Sequence, residues 1–200
     1  MKNINILVAG VGGQGIVAAS DIIADMALAK GFDVKKSEIH GMSQRGGVVS
    51  SFVRFGEKVH SPLPFRDDID FILAFEEMES IRWADHINDS TVVIVNSHRI
   101  KPATLSGIKE GYPDAASSIK HDRLYVIDGS LEAKKIGNEK VVNSLMLGAL
   151  SVFLDFKDEE FYSALSRRVK KFTGENRAAY IKGKEMVKNH VLQQGRIHKS

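Results

Sequence analysis

Gly10, Gly12 and Gly15 stand at G-x-G-x-x-G spacing, with Gly13 and Gln14 in the variable places and Ile16 following. Glycine lets a strand turn sharply into a helix and lets the backbone approach a ligand with no Cβ in the way. The helix beyond offers unpaired N–H groups and a partial positive charge, so the amides from Gly12 to Ile16 could receive a phosphate or diphosphate. The same glycines also serve close packing of a strand on a helix. A second stretch, Glu38-Ile-His40-Gly41-Met-Ser43-Gln44-Arg45-Gly46-Gly47, gathers polar, titratable and glycine residues without periodicity. Glycines beside Arg45 could form a concave backbone surface with a cation at its rim, suited to a phosphate or carboxylate, while Ser43 and Gln44 add neutral hydrogen bonds. A tight turn entering a hairpin is the other reading. Farther on, Asn143 and Ser144 sit beside an apolar helical stripe. There an asparagine either faces a cofactor groove or is simply exposed or locally bonded.

Other chemistry is scarce. The chain has no cysteine, which removes disulfides, thiolate zinc sites, a cysteine nucleophile and a self-held iron–sulfur cluster. Its seven histidines, at 40, 60, 86, 98, 121, 190 and 198, show no metal-ligand spacing, so no metal site is expected. No Ser-His-Asp, H-E-x-x-H or P-loop pattern occurs. Asp128-Gly129-Ser130 does not supply the Gly-Asp-Gly that thiamine binding would need. Glu38, 23 residues past Gly15, is the one candidate for holding the ribose of a dinucleotide; it equally reads as the start of a loop. The chain therefore either uses a bound nucleotide or serves a larger enzyme.

Alternating strands and helices must position these residues. Asn3 to Ala9 reads as a buried strand, Ile16 to about Ala29 as a helix closed by Gly31, and Phe32 to Ser37 as a second strand near a sheet edge. Val48 to Phe55 reads as a strand that could pair with Lys58 to Leu63 across Gly56-Glu57, ended by Pro62 and Pro64. Then come a strand at Ile69 to Phe75, a helix from Glu76 to about Ile87, and a strand at Thr91 to Val95. An irregular stretch over 97–123 has room for a short helix from Pro113 to Ile119. A strand at Leu124 to Ile127 turns into a helix over Leu131 to Ile136, and helices follow at about Lys140 to Phe153, Asp158 to Phe172 and Glu175 to Val191. Gly148 and Ala149 on the first of these imply close packing against a neighbour. The fold class is α/β: a Rossmann-like, open, mainly parallel sheet with an inserted antiparallel hairpin and a helical C-terminal part. One domain over 1–195 is expected, its core at about 3–136 and its helical close at about 138–192, with the ligand crevice at the carboxyl ends of the strands.

A chain of 200 residues can bury one full core. Its net charge of +3 and isoelectric point near 9.0 come largely from the last third, around Arg167-Arg168-Val-Lys170-Lys171 and after Lys182. Mixed charge on helical faces favours solvation or an acidic partner over nucleic acid. No apolar run approaches the roughly 20 residues that span a bilayer, and the first residues lack the features of a secretory signal. A cytoplasmic protein is expected.

Gly10-Val-Gly-Gly-Gln-Gly-Ile16, followed by Glu38-Ile-His-Gly-Met-Ser-Gln-Arg-Gly-Gly-Val-Val-Ser50, closely resembles the γ-type subunit or domain of 2-oxoacid:ferredoxin oxidoreductases, most nearly that of the indolepyruvate enzymes. The helix Asn143-Ser-Leu-Met-Leu-Gly-Ala-Leu150 is similar too, and the resemblance runs from residue 4 to about 190. It implies oxidative decarboxylation of an aryl 2-oxoacid with coenzyme A and oxidised ferredoxin, giving an aryl-acyl-CoA, carbon dioxide and reduced ferredoxin. Thiamine diphosphate, magnesium and [4Fe–4S] clusters carry that chemistry, and without cysteine or a thiamine motif they must sit on a larger partner subunit. The present chain is then the non-cofactor subunit, contributing Gly10, Gly12, Gly13, Gln14, Gly15, Ile16, Ser43, Gln44, Arg45, Gly46, Gly47 and Asn143 to one wall of a shared site. A free-standing NAD-binding protein, with Glu38 on the ribose, is the alternative.

Overall fold

The computed structural model describes residues 3–41, 47–100 and 112–197. Its centre is a six-stranded sheet: β1 (Ile4–Val11), β2 (Asp33–His40), β3 (Val48–Gly56), β4 (Phe71–Ala74), β5 (Val92–Asn96) and β6 (Leu124–Ile127), in the order β2-β3-β1-β4-β5-β6. The pairs β1–β4, β4–β5 and β5–β6 are parallel, and β3 runs antiparallel to both β1 and β2. The sheet is therefore mixed and mainly parallel, with one antiparallel hairpin built into it, as expected.

The apolar runs of β1, β4 and β5 are buried on both faces, which is why they show little polar alternation. Ile6, Val8, Leu73 and Ile94 point to one core, and Leu7, Ile72, Val93 and Val95 to the other. The first core is covered by α1 (Ile16–Ala29), α4 (Gly129–Ile136), α5 (Val142–Ser151), α6 (Asp158–Arg168) and α7 (Thr173–Ile197). The second lies under α2 (Glu77–Arg82) and α3 (Ala115–Ser118), with Trp83 edge-on to Phe52. Each fully buried Leu or Ile contributes roughly 1.5–3 kcal/mol. Among the described residues no helix is long and apolar enough to cross a membrane.

Several boundaries differ from the sequence reading. Residues 58–63 form no strand; β3 instead finds its hairpin partner in β2, with Asp33 opposite Gly56 and His40 opposite Val49. Side chains hold 58–63 in place of a ladder: the Arg54 guanidinium donates to the Ser61 and Leu63 carbonyls, and Val59 N–H donates to Asp33 Oδ2. The proline pair stops a longer run there. Consequently β2 extends through Glu38 and His40, which belong to a strand and not to a loop. The expected helix from Glu76 to Ile87 divides into α2 and a 3₁₀ turn at Ala84–His86, and the helix expected from Lys140 begins at Val142 after a 3₁₀ turn at Glu139–Val141.

Candidate functional site

Where the parallel strands end, the connections splay apart and leave a cleft of about 450 Å³. One wall is the glycine loop. Gly15 is left-handed (φ 76°) and opens α1 toward the cleft, with no side-chain cap among the described residues for the first N–H groups of that helix. Gly13, also left-handed at φ 98°, is exposed and open on its Cα side. No acceptor among the described residues takes the Gly13 or Gly15 N–H. Gly12 differs, because its N–H donates to the Gly47 carbonyl at 2.8 Å. That bond brings the end of the second motif against the first.

Gly10 and Gln14 serve the wall from behind. A Cβ on Gly10 would lie 2.5 Å from Ile16 Cδ1 and 2.7 Å from Gln14 Oε1, so this glycine is required by close packing. Gln14 Oε1 accepts the Val11 N–H at 2.7 Å and its Nε2 donates to the Phe75 carbonyl at 3.1 Å. Its amide is thus engaged within the fold and braces the loop. Ile16, 2% exposed, offers only its backbone.

The facing wall comes from α5 and the turn before it. Asn143 Nδ2 donates to the Gly15 carbonyl at 3.0 Å, across 128 residues of sequence, and a Cβ on Gly15 would collide with that amide at 2.3 Å. Asn143 thus lines the cleft with its amide already bonded to the glycine loop. Ser144, its neighbour, turns inward and donates to Asn176 Oδ1 at 2.6 Å. The floor is Asn96 at the end of β5: its Nδ2 donates to the Phe75 carbonyl and Ser130 Oγ, and its Oδ1 accepts the Gly129 N–H. Lys134, Lys140, Glu139 and His98 stand at the rim. Lys134 lies 3.6 Å from Glu139, with both side chains well exposed, and such a pair is too solvated to neutralise the rim.

Asn96, His98, Ser130, Lys134 and Lys140 were not singled out from the sequence. They come from separate connections and share no spacing; the one local signal was the strand-to-helix turn Asp128-Gly129-Ser130, whose Asp128 side chain accepts from Leu131 N–H. Ser43, Gln44, Arg45 and Gly46 lie outside the described residues. Glu38 is far from the cleft. It sits opposite Ser51, itself opposite Val8, so the whole of β3 separates it from β1, roughly 10 Å away. Its carboxylate is paired with Lys36 at 2.7 Å and His40 at 3.1 Å, and the Lys36 hydrogen bond holds it below the usual carboxylate range. A Rossmann ribose acid would need the β2 strand to lie next to β1, whereas here β1 is flanked by β3 and β4. Among the described residues, no three histidine, aspartate or glutamate side chains gather closely enough to hold a metal ion.

The sequence matches the pyruvate ferredoxin/flavodoxin oxidoreductase family over residues 5–186. The chain belongs to that family. It is similar to the indolepyruvate oxidoreductase subunit IorB of Thermococcus kodakarensis, 35% identical over 157 residues that cover 76% of this chain and 78% of the relative. The corresponding subunit of Methanothermobacter thermautotrophicus is 41% identical over 152 residues, covering 74% and 77%. Two solved structures share the fold of this pyruvate ferredoxin/flavodoxin oxidoreductase family member. One is the gamma subunit of a keto/oxoacid ferredoxin oxidoreductase from Geobacter sulfurreducens (TM-score 0.68, 23% identity, 92% of this chain and 98% of that one). The other is the 2-oxoglutarate:ferredoxin oxidoreductase of Magnetococcus marinus (TM-score 0.75, 22% identity, 94% and 32%). The chain is accordingly a subunit of a 2-oxoacid:ferredoxin oxidoreductase, and a free-standing NAD-binding protein is not favoured.

Proposed function

We propose that this chain is the non-cofactor subunit of an indolepyruvate or arylpyruvate:ferredoxin oxidoreductase of the cytoplasm. The enzyme would convert an aryl 2-oxoacid, coenzyme A and oxidised ferredoxin to an aryl-acyl-CoA, carbon dioxide and reduced ferredoxin. The observation that carries the substrate assignment is the 35–41% identity to indolepyruvate oxidoreductase subunits over three quarters of the chain. With no cysteine, the donor set here does not fit an iron–sulfur cluster, and no Gly-Asp-Gly strand end fits thiamine diphosphate with magnesium. Those groups belong on a larger partner subunit, through which ferredoxin is served.

The role of this chain is to bind and orient an anion. The cleft supports that reading: Gly13, Gly15 and Ile16 offer backbone N–H groups at a helix N-terminus to a diphosphate, worth about 0.3–2 kcal/mol there. Asn143 fixes the loop that presents them, and Lys134 and Lys140 supply the distal charge. Arg45, with Ser43 and Gln44 beside it, balances an anionic group at the subunit boundary. The diphosphate of coenzyme A is the ligand this arrangement suits. Co-expression with the larger subunit, and assay of indolepyruvate- and coenzyme A-dependent reduction of ferredoxin with and without this chain, tests the function. Lys134→Ala with Lys140→Ala should raise KM for coenzyme A about tenfold, from roughly 1.4 kcal/mol, and leave KM for the oxoacid unchanged. Activity of the larger subunit alone, or an aliphatic oxoacid strongly preferred over indolepyruvate, would refute the assignment.

A further inference from the structure

At the α6–α7 corner, remote in sequence from the glycine loop, a small pocket of about 120 Å³ is lined by Tyr162, Leu165, Val169, Thr173, Asn176 and Arg177. Its polar floor is already satisfied, since Asn176 accepts from Ser144 Oγ and donates to the Phe172 carbonyl at 2.8 Å. What remains open is mainly apolar. A dry apolar cavity of about 150 Å³ can take a benzene-sized group; at about 120 Å³ this pocket has room for a somewhat smaller, aliphatic side chain.

Exposed cations gather along the α6–α7 connection beside it, and one of them, Arg177, lines the pocket itself. Arg167, Lys170, Lys171 and Arg177 are all exposed, and among the described residues none of them has a carboxylate within 4.0 Å. Arg167 reaches only the Ser163 hydroxyl, Lys170 donates to the Ser166 carbonyl, and Arg177 lies over the Tyr162 ring at 4.8 Å. Arg168 shows the contrast: it turns to the other side and pairs with Asp21 and Asp25. In the connection before α7, Phe172 is 47% exposed and left-handed at φ 59°, a conformation that a bulky residue rarely adopts. Four exposed cations between residues 167 and 177, none with a carboxylate partner among the described residues, stand beside an apolar hole and an exposed aromatic ring, and such a surface gains most from an acidic one that carries an apolar anchor.

We infer that this corner docks an acidic segment of the larger partner subunit, one hydrophobic side chain entering the pocket and carboxylates meeting Arg167, Lys170, Lys171 and Arg177. The inference rests on the proposed heteromeric assembly. The test uses the whole chain and the separately purified larger subunit, with affinity measured at low and high salt. Arg167→Glu with Lys170→Glu and Lys171→Glu should weaken binding at least about tenfold and flatten its salt dependence. Ser166 also lines the pocket, so Ser166→Trp, which fills it without removing a charge, should weaken binding and keep the salt dependence. All four positions are exposed, so unchanged thermal midpoints are expected and confirm folding. Wild-type binding that both variants retain in full overturns the docking site while leaving the assembly intact. No binding by wild type overturns both. Tighter binding of a single-stranded oligonucleotide than of the subunit, lost on charge reversal, overturns the acidic-protein assignment.

Discussion

Gln14 ties the end of β1 to the end of β4 through one primary amide, accepting from Val11 and donating to Phe75. In Gln14→Ala the Phe75 carbonyl keeps its bond from Asn96, but the Val11 N–H is left without an acceptor in a buried setting. The expected cost is about 1–3 kcal/mol, read as a lowered urea midpoint with an unchanged m-value. A midpoint equal to that of wild type would remove Gln14 from the bracing role. His86 gives a pH-dependent counterpart. Its ring packs edge-on to Trp83 at 4.8 Å, its buried Nδ1 has no partner among the described residues, and burial, helped by the nearby Arg66 charge, pushes its pKa below the ordinary value of 6.5. The unfolded chain therefore binds the proton first, and stability rises with pH through this window. The contribution is fully present above about pH 6.5 and is lost as pH falls toward the depressed folded value. His86→Phe should show less loss of stability than wild type between about pH 7 and pH 5. Equal losses would mean that other groups set the acid limb.

Two glycines decide how the helical layer sits on the rest of the protein. A Cβ on Gly148 of α5 would lie 2.0 Å from the Tyr180 carbonyl oxygen of α7, and one on Gly183 would lie 1.9 Å from the Leu145 carbonyl oxygen. The helices therefore touch backbone to backbone, and a methyl group at either place meets an atom that cannot rotate away. Gly148→Ala should cost at least the 1–3 kcal/mol typical of overpacking, about several degrees in Tm, whereas Gly174→Ala meets open space and should change little. Similar small effects from both substitutions would contradict the close crossing. This contact was legible in the sequence as small residues on an apolar stripe, though its partner was not. The same division holds elsewhere. Buried runs such as Phe71–Ala74 and Val92–Asn96 announce themselves by composition, because both faces are covered. Pairing is long-range: nothing local could show that β3 leaves Lys58–Leu63 for β2 and slips between β2 and β1. The glycine loop was legible because its spacing is local, and Asn143 because it interrupts a stripe. Asn96, Lys134 and Lys140 were not, since only the convergence of strand ends brings them together.

The whole molecule joins its sheet and helical layers through one continuous core. Ile6, Val8 and Leu73 of the sheet share a cluster with Leu145, Leu150, Phe161 and Tyr180 of the last three helices, and Phe161 stacks on Tyr180 with ring centroids 3.9 Å apart. Lys184 and Tyr180 of α7 both donate to Asp158 at the start of α6. These contacts leave no layer across which a helical close could part from a Rossmann-like core without exposing large apolar surface. We propose on this basis that residues 1–195 unfold as one unit. The lone tryptophan makes the proposal measurable: Trp83 packs on Phe52 beneath the α2 side of the sheet, opposite the C-terminal helices, so its fluorescence reports the far core. Far-UV circular dichroism is dominated by the C-terminal helices. In a two-state protein the two probes must trace coincident urea transitions. Loss of helical signal before any change at Trp83 would instead mark the helices as a separately melting layer, and Gly148→Ala would then shift only the first transition. Coincidence in wild type and in Gly148→Ala alike, with both curves displaced together, is the expected result, because a helix pair levered apart at α5 and α7 also uncovers the sheet beneath it.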